Sequence, residues 1–300
     1  MKKLIICLAA LLLPGCIEFE KQTLVFRHYL GTDTLVIWQH YEGIHGEDNE
    51  HGLSKNEREQ LHSVVNGERT FFFANWIFEY NAHEINKSIT KLEADLKIGI
   101  EPQTEAELSR RTLALAKLLY KSVTIKNGPF YLNKQQRPSA TQHVTIRNIG
   151  KLLRECNALC HFVILKGDGV IGEFEEGDPN IELLEKSAQN KMAYLTIKGQ
   201  QLRLRWPMTE QNFRKEMNVK VMEVFRKADV TIQHKNNLLT ITVGKVNGTE
   251  TAVSIPLPDV AFQPNATDRV VKRYGFTKGF NPAQARAKFF KDSDARFLKK

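Results

Sequence analysis

Cys156 and Cys160 offer the most varied chemistry in this 300-residue chain, because two thiols four residues apart stand directly before His161. Ile149, Leu152, Cys156 and Cys160 fall on one helical face, which turns both sulfurs toward an apolar interior. In an oxidising compartment the pair could close a disulfide, although so short a loop contributes only ~2 kcal/mol in the chain-entropy model. Reduced, the two thiols would pack as small hydrophobes. With His161 they also form a sulfur and nitrogen set of the kind that binds haem iron or zinc.

A second set of ligand-type residues follows Ile44. His45, Glu47, Asp48 and His51, with His40 nearby, combine imidazoles and carboxylates that suit zinc or another divalent ion. The same residues also read as a solvated acidic loop. Glu173, Glu175, Glu176 and Asp178 supply oxygen ligands, but without the alternating Asp/Asn ladder and closing Glu that calcium loops use.

Two of these segments have known counterparts. Cys156-Asn157-Ala158-Leu159-Cys160-His161 resembles the attachment motif of c-type cytochromes, with three residues between the cysteines where that motif has two, and no segment stands out as a distal ligand. Gly167-Asp168-Gly169-Val170-Ile171-Gly172 resembles the glycine pattern of dinucleotide-binding loops. That chemistry needs a helix N-terminus after the third glycine, whereas acidic and turn residues come next, so the stretch reads as a hairpin. No cofactor is expected. The chain also lacks a Gly-x-Ser-x-Gly elbow, a His-Glu-x-x-His pair and a Gly-x-x-x-x-Gly-Lys phosphate loop, which leaves no positive motif for catalysis.

The N-terminus carries a sharper signal. Met1-Lys2-Lys3 precedes ten apolar residues, Leu4 to Leu13, and then Pro14-Gly15-Cys16. Ten apolar residues fall well short of the ~20 that cross a bilayer as a helix. Leu13, Gly15 and Cys16 resemble the lipobox of bacterial prolipoproteins. The resemblance implies cleavage before Cys16, acylation of its thiol and a membrane anchor without a spanning segment. Ile17 after the cysteine, where Asp would signal inner-membrane retention, implies the periplasmic face of the outer membrane in a cell that has one.

Composition fits an exported globular body: 42% of residues are hydrophobic and 26% charged, too apolar for a disordered chain. Net charge is +9, and losing Lys2 and Lys3 with the leader leaves 41 cationic against 34 acidic residues, or +7. Such a body favours anionic partners: lipid head groups, an envelope polymer or an acidic envelope protein, with nucleic acid not expected in that compartment.

The pattern predicts an α+β fold with largely antiparallel sheet and flanking helices, as one large or two small sub-domains. Strands are expected at Glu18 to Phe26 and Thr34 to His40, with a loop over Gly43 to Gly52 and a helix from the capping box Ser54-Lys55-Asn56-Glu57 to Asn66-Gly67. Arg69 to Tyr80, apolar on both alternating faces, reads as a central buried strand. Helices follow at Asn81 and Thr104, a hairpin turn at Asn127-Gly128, and a linker at 134–140 around Pro138. That linker separates an N-terminal part, 16–133, from a C-terminal part, 141–262. The latter is expected to run strand (Val144 to Arg147), helix (Asn148 to Leu159), strand (Phe162 to Leu165), a short helix, a hairpin around Gly199, a helix over Thr209 to Ala228 and three short strands.

Residues 263–300 form a basic end, with Lys272, Arg273, Lys278, Arg286, Lys288, Lys299 and Lys300 among its ten cations from Arg269 onward. Asn281-Pro282 starts a helix with Ala283, Ala287, Phe290 and Phe297 near one face and Asp294 interrupting it. The arm could bind an anionic surface, or the helix could dock on the body with its charges in water. Taken together, the sequence is expected to encode a membrane-anchored envelope lipoprotein, a binding or scaffolding module without catalysis; the alternative is a lipid-anchored hydrolase or metal-dependent enzyme using the His45 to His51 loop.

Overall fold

The computed structural model describes residues 17–46, 53–72, 78–99, 102–166, 179–217, 222–223, 225–226, 228, 230–256 and 273–298. Among them are eleven strands and seven α-helices, an α+β fold whose sheets are mostly antiparallel. The chain forms two compact units, neither continuous in sequence. Among the described residues, one comprises those of 17–82, 123–147 and 252–298; the other comprises those of 83–122 and 148–251. The second unit is thus built from two excursions of the chain, and the expected linker at 134–140 is no boundary. It is a tight turn inside the first unit, where Asn133 Oδ1 accepts from the N–H groups of Gln135 and Arg137, and Ser139 to Gln142 are buried.

The first unit is a five-stranded sheet in the order β11-β1-β2-β6-β5. Its strands are β1 (Glu18–Tyr29), β2 (Thr34–His45), β5 (Val123–Leu132), β6 (Pro138–Arg147) and β11 (Thr251–Pro256). Strand β2 runs into the expected loop as far as His45, and 47–52 lie outside the described residues. The strand does so because Gly43 adopts φ +65°, a left-handed conformation that costs glycine nothing, so that Tyr41 and Ile44, three residues apart, enter one core. Asn127-Gly128 does not turn the chain. It sits at a register break of β5 against β6, where the Asn127 side chain meets the Val65 carbonyl and Gln142, so a hairpin-type dipeptide makes a bulge instead.

One face of this sheet packs on α1 (Lys55–Val65) and on a hairpin of β3 (Arg69–Phe72) and β4 (Phe78–Asn81). Helix α1 has the expected capping box: Ser54 Oγ accepts from Glu57 N–H at 3.2 Å, and the Glu57 carboxylate accepts from Ser54 N–H at 2.6 Å. Arg69 to Tyr80 is no central strand. Its ends fold back on each other, pinned by Arg69 Nε on Glu79 Oε2 at 3.2 Å, while 73–77 lie outside the described residues.

The opposite face receives the C-terminal helix α7 (Pro282–Phe297), whose N-cap Asn281 accepts from the N–H groups of Ala283 and Gln284. Phe290 is buried against Val25, Tyr29, Val36 and Trp38, with Phe289 and Phe297 beside it. Asp294, which seemed to interrupt the apolar stripe, fastens the helix: Arg27 Nη1 reaches its Oδ2 at 2.7 Å and the Tyr29 hydroxyl its Oδ1 at 2.6 Å. The Arg27 guanidinium also lies 4.3 Å from the Phe290 ring centre. Ala283 and Ala287 are exposed, so the buried stripe is narrower than the sequence spacing implies.

The second unit contains α2 (Ala82–Ile98, which begins at the boundary), α3 (Gln103–Ser122), α4 (Ile149–Lys166), α5 (Pro179–Gln189) and α6 (Glu210–Glu216). Its four-stranded antiparallel sheet has the order β7-β8-β10-β9, from β7 (Leu195–Lys198), β8 (Gln201–Pro207), β9 (Val230–Lys235) and β10 (Leu238–Val243). Phe162 to Leu165 is the last turn of α4 and not a strand; no breaker separates it from Leu159, and Val163 and Ile164 continue the buried face begun by Ile149 and Leu152. Helix α6 ends at its C-cap Met217, Met222, Glu223, Phe225 and Arg226 are again helical, and Val221 and Val224 lie outside the described residues. Asn236 and Asn237, at φ +53° and +55°, close the β9–β10 hairpin with the primed turn that suits its twist.

The docking of α7 is testable by chemical denaturation. Phe290→Ala should lower stability by ~3–5 kcal/mol, while Lys288→Ala on the exposed side should stay within about 0.5 kcal/mol. Equal, small losses for both would contradict the packing.

Candidate functional site

Several perturbed ionisable groups among the described residues lie on the α7 side of the five-stranded sheet. Register places Trp38 opposite His143 and His40 opposite Thr141 across β2 and β6, so the four side chains form a two-by-two patch. His40 Nε2 meets the Tyr131 hydroxyl in a hydrogen bond, and its Nδ1 lies 3.6 Å from Glu42 Oε1, which Lys21 Nζ approaches at 3.3 Å. His143 stacks on Phe289 at 4.4 Å, and Tyr131 packs on Phe280 at 4.7 Å.

The arrangement is a carboxylate, an imidazole and a phenol in series, the order in which a proton could be drawn from an attacking hydroxyl. Its electrostatics work against that use. Burial holds the His40 imidazole down to about 4, and only weakly does Glu42 oppose this. Burial pushes the Tyr131 phenol up, with Glu42 adding to the shift. At neutral pH both partners keep their uncharged forms. Tyr131 is 4% exposed and His40 8%, so a reacting carbonyl or phosphoryl group has no approach to either. On the same face, Trp38 Nε1, Thr141 Oγ1 and His143 Nε2 have no hydrogen-bond partner among the described residues, which makes the patch a costly polar layer beneath α7.

The expected site residues are dispersed. Cys16 lies outside the described residues, as do Glu47, Asp48 and His51. His45 is buried in β2, with Nδ1 2.9 Å from the Gly43 carbonyl, so its ring is held by the strand and not presented by a loop. No group of three metal-ligating side chains occurs among the described residues. Segments 167–172 and 173–178 also lie outside them.

Cys156 and Cys160 are free thiols on α4 and not a disulfide. The reason is geometric: residues one helical turn apart hold their Cβ atoms ~5–6 Å from each other, whereas a disulfide needs ~3.5–4.5 Å. Burial pushes the Cys156 thiol up to about 12 and raises Cys160 as well, so neither is a thiolate nucleophile or ready ligand. His161 is committed elsewhere, its Nε2 2.7 Å from the Met192 carbonyl. Between the two cysteines, Asn157 ties α4 to the sheet: its Oδ1 accepts from Tyr194 and Leu195 N–H, and its Nδ2 donates to the Leu195 carbonyl.

Of the basic end, Arg273, Lys278 and Lys288 are exposed and Arg286 is half-buried, while Lys272, Lys299 and Lys300 lie outside the described residues. No described helix is long and apolar enough to cross a membrane. Sequence reasoning missed the His40, Tyr131 and His143 layer; its one signal was His40 two residues after Trp38, on the same face of an expected strand. The chain matches no family model, no curated protein and no solved structure.

His40 makes stability depend on pH. It charges near 6.5 in the unfolded chain and near 4 in the folded one, so the unfolded state binds more protons between these values. Stability should therefore fall as pH drops from about 6.5 to about 4, with this group supplying up to ~3 kcal/mol. His40→Gln should flatten that slope, and an unchanged slope would contradict the buried neutral ring. For the thiols, a colorimetric thiol reagent should count two more groups in denaturant than in the Cys156→Ala, Cys160→Ala variant. In native buffer at neutral pH the two counts should agree, and fewer than two extra groups in denaturant would mean an oxidised pair.

Proposed function

We propose that this chain is a bacterial envelope lipoprotein, held on the membrane by lipid at Cys16, whose body is a non-catalytic binding or scaffolding module. The observation that carries the reading is the junction of leader and body. The lipobox-like Leu13-Pro14-Gly15-Cys16 is followed at once by Ile17, which is 1% exposed and donates its N–H to Gln60 Oε1 of α1 at 3.1 Å. Strand β1 starts at the next residue. An acyl chain on Cys16 would hold the first unit flush with the lipid surface, since no spacer is left to pay out. Multiple acyl chains supply the affinity, at ~0.8 kcal/mol per buried methylene.

The non-catalytic part of the reading rests on the buried, proton-retaining chemistry of the His40 layer and the inert Cys156 and Cys160 thiols. Ile17 after the cysteine favours the outer membrane, periplasmic face, in a cell with two membranes.

Cys16→Ser tests the anchor. Expressed in a bacterial host fed a labelled fatty acid, the parent should incorporate label and partition into detergent, and the variant should do neither. Equal partitioning and an equal mass for both proteins would overturn the reading.

A further inference from the structure

The sheet of the second unit has two unlike faces. Leu202, Leu204 and Trp206 of β8 alternate with Gln201, Arg203 and Arg205, and the pairing carries that alternation across all four strands. On the apolar side Val230, Leu239 and Val243 are buried. The polar side is solvent-facing: Lys198, Arg203, Thr231, Gln233 and Lys235 are exposed.

Its rows are regular. Thr196, Arg203, Thr242 and Thr231 lie side by side across β7, β8, β10 and β9, and Arg205, Thr240 and Gln233 form the next row. Strands are spaced ~4.8 Å and alternate residues along one strand ~6.8 Å, so Arg203 and Arg205 stand one pleat repeat apart with hydroxyls and an amide beside each. Four cations, Lys198, Arg203, Arg205 and Lys235, occupy this face, and no Asp or Glu among the described strand residues shares it. The two arginines bond to neutral groups. Arg203 Nη2 donates to Gln201 Oε1 at 2.8 Å, and Arg205 Nε and Nη2 donate to the Ala193 carbonyl at 3.0 and 2.8 Å, which fixes the guanidinium without cancelling its charge. Ordinary solvated sheet faces intersperse both signs; this one does not.

We infer that this face is a docking surface for a linear polyanion of the envelope, a chain of phosphodiester-linked polyol units, a choice of partner that rests on the anchored, exported reading above. The repeat of cations along β8 suits anionic groups recurring along an extended chain, and the threonine hydroxyls suit both phosphate oxygens and polyol hydroxyls. Nucleic acid is disfavoured by a feature of the face itself: it carries no aromatic side chain on which bases could stack.

The test uses the full-length protein in neutral detergent, titrated with poly(glycerol phosphate) at several salt concentrations. The parent should bind, with log K falling against log salt by roughly 0.7 for each phosphate contact. Replacing Lys198, Arg203 and Lys235 together by Gln, three exposed side chains outside the core, should reduce that slope by about 2 and lower low-salt affinity at least tenfold while leaving the melting temperature unchanged. A control with the same loss of charge on α7, Lys288→Gln, Lys291→Gln and Arg296→Gln, should bind like the parent. No binding by the parent, equal losses in both variants, or tighter binding of oligodeoxythymidylate than of the polymer would each overturn the inference. Fatty-acid labelling at Cys16 is read separately, so failure of the anchor and failure of the surface are told apart.

Discussion

A hydroxyl group at the centre of the first unit sets the terms on which the rest of it folds. Tyr41, fully buried, places its oxygen 2.8 Å from Gln142 Oε1, 3.1 Å from Thr70 Oγ1 and 3.2 Å from Gln39 Oε1, and it accepts from Phe71 N–H at 3.3 Å. Gln22 Nε2 bridges Gln39 at 3.0 Å and the Phe71 carbonyl at 2.7 Å, and Gln142 Nε2 reaches the Val64 and Arg69 carbonyls and Asn127 Oδ1. Three glutamines from three neighbouring strands thus hold helix α1, the β3–β4 hairpin and the β5 bulge in one register. Leaving any member unpaired would cost ~1–3 kcal/mol, so the network permits essentially one arrangement of the elements above it. Ile17 and Phe19 pack in the same cluster, which is how the junction next to Cys16 becomes fixed.

The other face of the sheet is held by different physics. There, aromatic burial and a partly buried Arg27, Tyr29 and Asp294 cluster dock a helix that is otherwise basic and polar. Burial and Asp294 together push the Tyr29 phenol up, keeping it a donor to the carboxylate at any ordinary pH. The histidines beneath that helix are tolerated because they stay neutral. The sheet therefore has one face specified by hydrogen bonds and one by ring packing.

What was legible in the sequence were features with local causes. The Ser54 capping box, the Asn281-Pro282 start, the strand from Glu18 and the hairpin around Gly199 depend on a few adjacent residues, and the structure has all of them. What was not legible depended on distant partners. The burial of Gln22, Gln39 and Gln142 has no local signal, because nothing near them in sequence reveals that Tyr41 and Thr70 will satisfy them. Arg69 to Tyr80 was apolar enough for a central strand, yet its Arg69 and Glu79 ends pair only once the chain folds back. Asp294 looked like a break in a stripe until Arg27 and Tyr29, more than 260 residues away, supplied its donors. The cationic face of the second unit was written in the Gln201, Arg203, Arg205 alternation, but its lack of carboxylates appears only when four strands are laid side by side.

The first unit is thus made rigid from inside, and the second offers an open, cationic sheet face. The central claim is that the Tyr41 and glutamine network acts as one cooperative element. The most direct measurement is a double-mutant cycle of Tyr41→Phe and Gln142→Leu, with unfolding free energies from urea denaturation of each variant and of the pair. The account predicts a coupling of at least ~0.5–3 kcal/mol, the pair losing less than the two singles summed, because each single strands the other's buried group. Additive losses would contradict it, showing that the two side chains contribute separately and that the register of the sheet is set elsewhere.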